Sequence, residues 1–218
     1  MHKLMMVLAL LSLSVPGRPG PDEVMSQDDF EGKLGEGWSW LREDPSAWRI
    51  TLMGLEVRVQ PGNMWGTANN ARNVLVRPVP DPGNKTIEVS VTVSNRPSGQ
   101  YEQIDLVWYY DDRHMVKIGQ EQVDGVLSLV MGREEADKTR TIAIIPIGAL
   151  SLDVRFIVTG DQIRGQFRPA GENAWKDAGQ CTLPANGPPK ASLQVYQGPP
   201  DINRWARFNR FRLIRRTS

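Results

Sequence analysis

The sequence predicts an all-β fold, a two-sheet antiparallel β-sandwich or jelly roll, on three observations. Most of the middle of the chain alternates apolar and polar residues with period two: Ile87, Val89, Val91 and Val93 oppose Glu88, Ser90 and Thr92, and Leu150, Leu152, Val154, Phe156 and Val158 oppose Ser151, Asp153 and Arg155. Each such run makes a strand with one apolar face. The runs recur at roughly 8 to 12 residues with turn residues between them, the spacing of a sandwich. No segment carries a long 3.6-residue period with caps, so no helix is expected in the core. The 20 glycines and 16 prolines are spread between the runs, as many turns require.

Residues 1–17 read as a cleaved secretion signal, with Lys3 in a short basic head, an apolar run from Leu4 to Leu13 and small residues at Ser12, Ser14 and Gly17. That run falls short of the ~20 residues that span a bilayer, and no later stretch is longer. The expected location is therefore secreted or periplasmic, with no membrane span. No cysteine near the cleavage region offers a lipid anchor. A flexible segment, 18–27, precedes the sandwich at 28–214, and a basic tail, 215–218, follows it. About 200 residues suit one sandwich domain. Without Lys3, 25 basic residues stand against 25 acidic ones, so charge argues for no nucleic-acid partner. Cys181 is the single cysteine and excludes an intrachain disulfide.

The stretch Gly37–Pro78 holds four of the seven tryptophans, Trp38, Trp40, Trp48 and Trp65. Trp48 to Leu52 and Leu55 to Val59 form a hairpin pattern turning at Gly54. A Gly/Asn-rich loop around Trp65 follows, then a strand through Asn73, Val74, Leu75, Val76 and Arg77 that Pro78 stops. Later strands are expected at Ile104–Tyr110, His114–Gln120, Val126–Met131, Arg140–Ile145, Gln162–Arg168, Leu193–Tyr196 and Arg207–Ile214. Turn signals separate them, among them Asp111-Asp112, Asp124-Gly125 and Thr159-Gly160-Asp161. The arginines at 204, 207, 210, 212, 215 and 216 are interleaved with apolar residues and read as a solvated strand face with a basic tail.

The order W-x-W-x-R-E-x-P-x-x-W-R-I from Trp38, then G-L-x-V from Gly54 and N-x-L-V-R-P from Asn73, resembles a concanavalin A-like β-sandwich family. The resemblance continues through Tyr101-Glu102-Gln103-Ile104-Asp105-Leu106, Met115-Val116-Lys117-Ile118 and Glu121, covering roughly residues 28 to 214. Members occur as secreted "regulation of enolase protein 1"-like chains and as the C-terminal sandwich of β-xylosidases. The resemblance implies a concanavalin A-like jelly roll in which the segment at Asp28-Asp29-Phe30 lies beside Phe208–Leu213. It does not by itself imply an activity, since one fold hosts many sites.

Enzyme classes are thinly supported. His114 is the only histidine past the signal, and it sits among strand residues, so a Ser-His-Asp or Cys-His arrangement has no other candidate. One His and one Cys, far apart, do not make a zinc site. Jelly-roll glucanases carry Glu-x-Asp-x-Glu on one strand, which puts two carboxyls on one face about 5 Å apart. Here the corresponding run is Gln103-Ile104-Asp105-Leu106-Val107, and an amide neither attacks an anomeric carbon nor donates a proton. Other carboxyl pairings, for example Asp105 with Glu121 on a neighbouring strand, stay open. Calcium is compatible with the fold, but no oxygen-ligand loop is assignable and no cofactor is expected.

Binding chemistry is better represented. If Ile104, Leu106 and Trp108 enter the core with Val116 and Ile118, parity sends Gln103, Asp105 and Tyr109 outward with Lys117 and Glu121. With Val74 and Val76 inward, Asn73 and Arg77 also face out. Amides, carboxylates, a cation and a ring suit sugar hydroxyls and the apolar face of a pyranose, and Trp65 on its loop offers a stacking surface. The expected site is thus Trp65, Asn73, Arg77, Gln103, Asp105, Tyr109, Lys117 and Glu121 in a monomer that binds a glycan or oligosaccharide. A glycan-processing enzyme and a docking domain for another exported protein remain open beside this lectin-like reading.

Overall fold

The computed structural model describes residues 20–217 and consists of strands plus one 3-10 turn at Pro45–Ala47. The signal reading at 1–17 lies outside the described residues. In chain order come β1 (Glu23–Asp28), β2 (Ser39–Leu41), and the hairpin of β3 (Trp48–Thr51) and β4 (Gly54–Arg58). A very short hairpin follows, β5 (Met64–Trp65) and β6 (Ala68–Asn69), then β7 (Val74–Pro78) and β8 (Thr86–Ser94). Three hairpin-linked strands, β9 (Gln103–Asp111), β10 (His114–Val123) and β11 (Val126–Glu135), lead to β12 (Lys138–Pro146) and β13 (Ser151–Thr159). The chain closes with β14 (Gln162–Pro169), β15 (Lys176–Thr182), β16 (Lys190–Tyr196) and β17 (Trp205–Arg216).

These strands form the predicted two antiparallel sheets. The large sheet runs β15-β14-β13-β8-β17-β4-β3, with β1 also paired to β17, and the small sheet runs β12-β11-β10-β9-β16-β7-β2. Side chains alternating inward from both sheets fill the space between them, as in other aligned sandwiches. Ile87, Val89, Val91 and Val93 of β8 meet Leu152, Val154, Phe156 and Val158 of β13 in the core, opposite Ile104, Leu106 and Trp108 of β9 and Val116 and Ile118 of β10. Trp40 of the small sheet and Trp48 of the large one stack 5.1 Å apart and tie the two layers at one edge. Cys181 is buried, and burial raises its thiol to about 11, which leaves it inert.

The N-terminal boundary differs from the expectation. Residues 23–27, read as part of a flexible segment, belong to β1, where Asp28 pairs with Phe211 and Glu23 with Arg215. The expected contact between the first and last strands of the sandwich is present, but it begins five residues earlier, because backbone pairing to β17 does not need an apolar pattern. Arg215 and Arg216 of the expected tail likewise end β17. Among the described residues no helix is long and apolar enough to cross a membrane.

Candidate functional site

On the small sheet, β9 and β10 have the predicted parity. Gln103, Asp105 and Tyr109 share the face away from the core with Lys117 and Glu121, and Lys117 pairs with Val107 while Glu121 pairs with Gln103 across the ladder. That face is not an open surface, however. The β5–β6 hairpin folds over it and closes a second apolar cluster of Met64, Val74, Val76, Val107, Met115 and Tyr196. Hence Gln103, Asp105, Tyr109, Lys117 and Glu121 are all buried. The expectation of a solvated outer sheet is corrected accordingly.

The hairpin seats Trp65 against β11 at Gly132. A Cβ on Gly132 would lie 2.6 Å from Cη2 of Trp65, so only a glycine lets the indole rest on the sheet. Beside it the Lys117 ammonium lies 4.8 Å from the Trp65 ring centroid and 5.9 Å from that of Tyr196. It donates to Gln103 Oε1 and, at 2.8 Å, to Glu121 Oε2. A cation held between two rings and two acceptors is well compensated for its burial. Lys117 therefore fixes the positions of Gln103, Glu121 and Trp65 relative to one another.

These side chains line a cleft of 530 Å³, whose walls also include Tyr101, Thr141, Ile144 and Gln197. Its volume is that of a small-ligand site. Two aromatic rings, from Trp65 and the half-exposed Tyr101, and three aliphatic side chains, Val123, Val130 and Ile144, face polar groups of Glu121, Thr141 and Gln197. Only one oxygen of Glu121 is taken by Lys117, so the other is free to accept from a ligand hydroxyl. Among the eight expected residues, Trp65, Gln103, Lys117 and Glu121 come together at the cleft.

Asp105 and Tyr109 lie on the same face but beneath the hairpin. Asp105 has no exposed surface, and neither carboxyl oxygen has a hydrogen-bond partner among the described residues. Burial pushes it up to about 7, Lys117 opposes the shift, and Glu121 adds to it. The Tyr196 hydroxyl lies near enough to favour the charged form, yet no hydrogen bond of ordinary geometry joins the two. Room for the carboxyl comes from Gly119 on β10, where a Cβ would sit 2.4 Å from Asp105 Oδ1. Tyr109 donates to Asp112 at 2.7 Å, and Asp112 is paired with Arg42, so its hydroxyl is committed to the turn.

Asn73 and Arg77 are elsewhere, a second correction. Leu75, not Val74 and Val76, enters the main core, so the parity of β7 is reversed. The cause is the second apolar cluster: a strand buried on both faces shows three apolar residues in a row and no usable alternation. Buried Asn73 accepts from the Asp44 backbone N–H at 2.7 Å and holds the Arg42–Pro45 turn. Arg77 donates to the Glu36 carbonyl and stacks 5.6 Å from the Trp38 ring centroid at the sandwich edge.

Sequence reasoning missed Glu134 and Tyr196 on the covered face. Glu134 accepts from the Gly66 N–H at 3.0 Å and so pins the hairpin tip, while burial pushes its carboxyl up to about 7. Its position on the same parity as Val130 and Gly132 was the available signal. Outside this region His114 contacts Asp111 at 2.9 Å, at the turn joining β9 to β10. Among the described residues no group of three or more His, Cys, Asp or Glu side chains is placed to hold a metal ion.

No protein-family model matches the chain, and no curated protein matches it either. Solved structures do. A xylan β-1,4-xylosidase from Bacillus halodurans C-125 superposes with a TM-score of 0.73 at 17% identity, over 91% of this chain and 40% of that one. A functionally unknown protein from Saccharomyces cerevisiae gives 0.57 at 16%, covering 84% of this chain and 95% of that one. The CBM2 module of the evolved Dit of Lactobacillus casei BL23 phage J-1 gives 0.58 at 10%, covering 90% and 97%. The chain thus spans well under half of the xylosidase and nearly all of the other two. At these identities the likeness shows the fold alone, a two-sheet antiparallel β-sandwich.

Proposed function

We propose that this chain is a non-catalytic, lectin-like carbohydrate-binding sandwich that works outside the cytoplasm, and that a glycan seats in the cleft between Trp65 and Tyr101. The observation that carries the reading is the cleft itself: two aromatic rings beside a carboxylate with a free oxygen, held in place by buried Lys117. Rings take the apolar face of a pyranose, and the free Glu121 oxygen, the Thr141 hydroxyl and the Gln197 amide take its hydroxyls. The likeness to a CBM2 module and to part of a xylosidase supports the same class of ligand.

The disposition of the acids supports a non-catalytic role. Hydrolysis with retention needs two accessible carboxyls about 5 Å apart. Asp105 is sealed below the cleft, and Glu121, which does line it, is neutralised by Lys117. A leader at 1–17 would deliver the chain to an exported location.

The test is a glycan-array screen of the protein followed by calorimetry on the best oligosaccharide. Binding without release of new reducing ends, weakened about tenfold or more by Trp65→Ala, is the expected result. Turnover that disappears in Glu121→Gln would replace this reading with a glycan-processing enzyme. An array with no signal would replace it with a docking domain for another exported protein.

A further inference from the structure

We propose a second binding site, on the outer face of the large sheet, for an anionic polysaccharide whose sugars carry carboxylates. It is centred on Arg168 of β14 and Arg210 of β17. The two guanidiniums share one carboxylate: Arg168 Nε donates to Asp153 Oδ2 at 3.0 Å and Arg210 Nη2 to Asp153 Oδ1 at 3.1 Å. Thr92 donates to the same carboxylate at 2.6 Å, so three of its roughly four acceptor positions are taken. One positive charge is in surplus, and the guanidinium edges turned away from Asp153 have donors to spare. They border a shallow hollow of 180 Å³ whose wall also includes Ser90 and Trp175.

Two features show that these arginines are presented and not merely tolerated. The Trp175 ring lies 4.3 Å from the Arg168 guanidinium carbon and 4.0 Å from that of Arg155, which fixes both planes against the sheet. Arg210 sits in a β-bulge of β17 with φ of 54°, a left-handed backbone that a non-glycine side chain adopts at some cost. The bulge aims Arg210 at Thr92 and Asp153. Bulges and strained residues of this kind recur where a side chain is re-aimed for use.

The surplus continues across the same face. Glu56 of β4 is shared by Arg49 at 2.7 Å and Arg207 at 3.7 Å, and Arg58 beside it has no carboxylate partner among the described residues. From the strand spacing and rise, this second cluster lies roughly 15 Å from the first. A ladder built only for stability would balance its charges, since like charges opposite one another destabilise a sheet. A flat strip of separated single charges is complementary to a polymer bearing spaced carboxylates, which arginine takes with its planar fork. A protein partner would need an apolar centre; outward Ile157 and Ile214 are separated by Glu88 of β8, and the exposed Leu52 and Met53 stand at the β3–β4 turn on the rim of the face. Single-stranded nucleic acid would need open rings, but Trp175 and Trp205 are both stacked by guanidiniums.

Polygalacturonate is the probe, with its fully methyl-esterified form and dextran sulfate as comparisons, read by biolayer interferometry on the full chain. The expected result is binding to polygalacturonate that is lost on esterification and falls about tenfold or more between 50 and 300 mM salt. Arg210→Gln and Arg168→Gln should each weaken it about tenfold, the loss of one charge-assisted hydrogen bond, with melting curves verifying the fold. Arg210→Lys, which keeps the charge but not the fork, should fall between. Arg113→Gln, a control at an exposed pair with Asp137, should stay within about twofold. Absence of polygalacturonate binding, equal binding of the ester, a preference for dextran sulfate, or loss caused by Trp65→Ala would each overturn the proposal. The last comparison keeps it separable from the cleft, because Trp65 lies over the outer face of the small sheet, on the other side of the sandwich.

Discussion

Asp105 is a fully buried carboxyl with no hydrogen-bond partner among the described residues, on a strand otherwise chosen for the core. Its folded value of about 7 against an ordinary 3.8 sets the sign of its contribution. Between those pH values the folded chain holds a proton that the unfolded chain has released. Stability attributable to Asp105 therefore falls as pH rises from about 4 to about 7, and its carboxylate burdens the fold at higher pH. Asp105→Asn should remove that slope, gaining on the wild type by up to about 4 kcal/mol at pH 8 and by almost nothing near pH 4. Urea unfolding at pH 4.5, 6 and 8 checks this; a difference independent of pH would show the carboxyl ionising normally. Glu134 keeps its own slope in both proteins, so the comparison is of differences. At this scale the sequence was informative where alternation was clean: Ile104, Leu106 and Trp108 gave the facing of Gln103, Asp105 and Lys117 correctly. It failed at Val74-Leu75-Val76, where both faces are apolar, and it could not show that Gln103 and Lys117 would be covered.

The cover is an element that no periodicity could announce. Strands β5 and β6 have two residues each, too few to alternate, in a segment whose glycines and asparagines read as a loop. Such a hairpin has no stability of its own and is held by what it touches. The Asn63 amide donates to the Trp65 carbonyl, the Gly66 N–H reaches Glu134, and the Trp65 ring lies on Gly132. β15 was missed for a related reason, since only Ala178 and Cys181 of its seven residues enter the core. Because the ring depends on a bare backbone at 132, Gly132→Val should lift the indole from the sheet. Oligosaccharide affinity should drop about tenfold while the urea midpoint moves little, since the main core lies on the other side of β11. Unchanged affinity would mean that Trp65 takes no part in holding the ligand.

At the level of the molecule, a formal net charge of +1 hides a separation of chemistry between two faces. The small sheet's outer face buries one lysine among Asp105, Glu121 and Glu134 beneath a hairpin, and the large sheet's outer face carries arginines in excess of the carboxylates they share. The packed core lies between them, and paired sheets about 10 Å apart leave no shared side chain through which one ligand would touch the other. Coupling between sites requires an element with two arrangements that both ligands bias, and a close-packed sandwich interior offers none. A neutral oligosaccharide in the cleft and an acidic polymer on the arginine face should therefore bind at once. Calorimetry of the oligosaccharide with and without saturating polygalacturonate should give affinities equal within about twofold, well below a coupling of 1 kcal/mol. Raising salt should weaken the polymer steeply and leave the oligosaccharide nearly unmoved, because screening acts on exposed charges and hardly on the hydrogen bonds and ring contacts of a partly enclosed cleft. Competition between the two ligands, or equal salt sensitivity, would place both on a single face and remove the division of labour between the sheets.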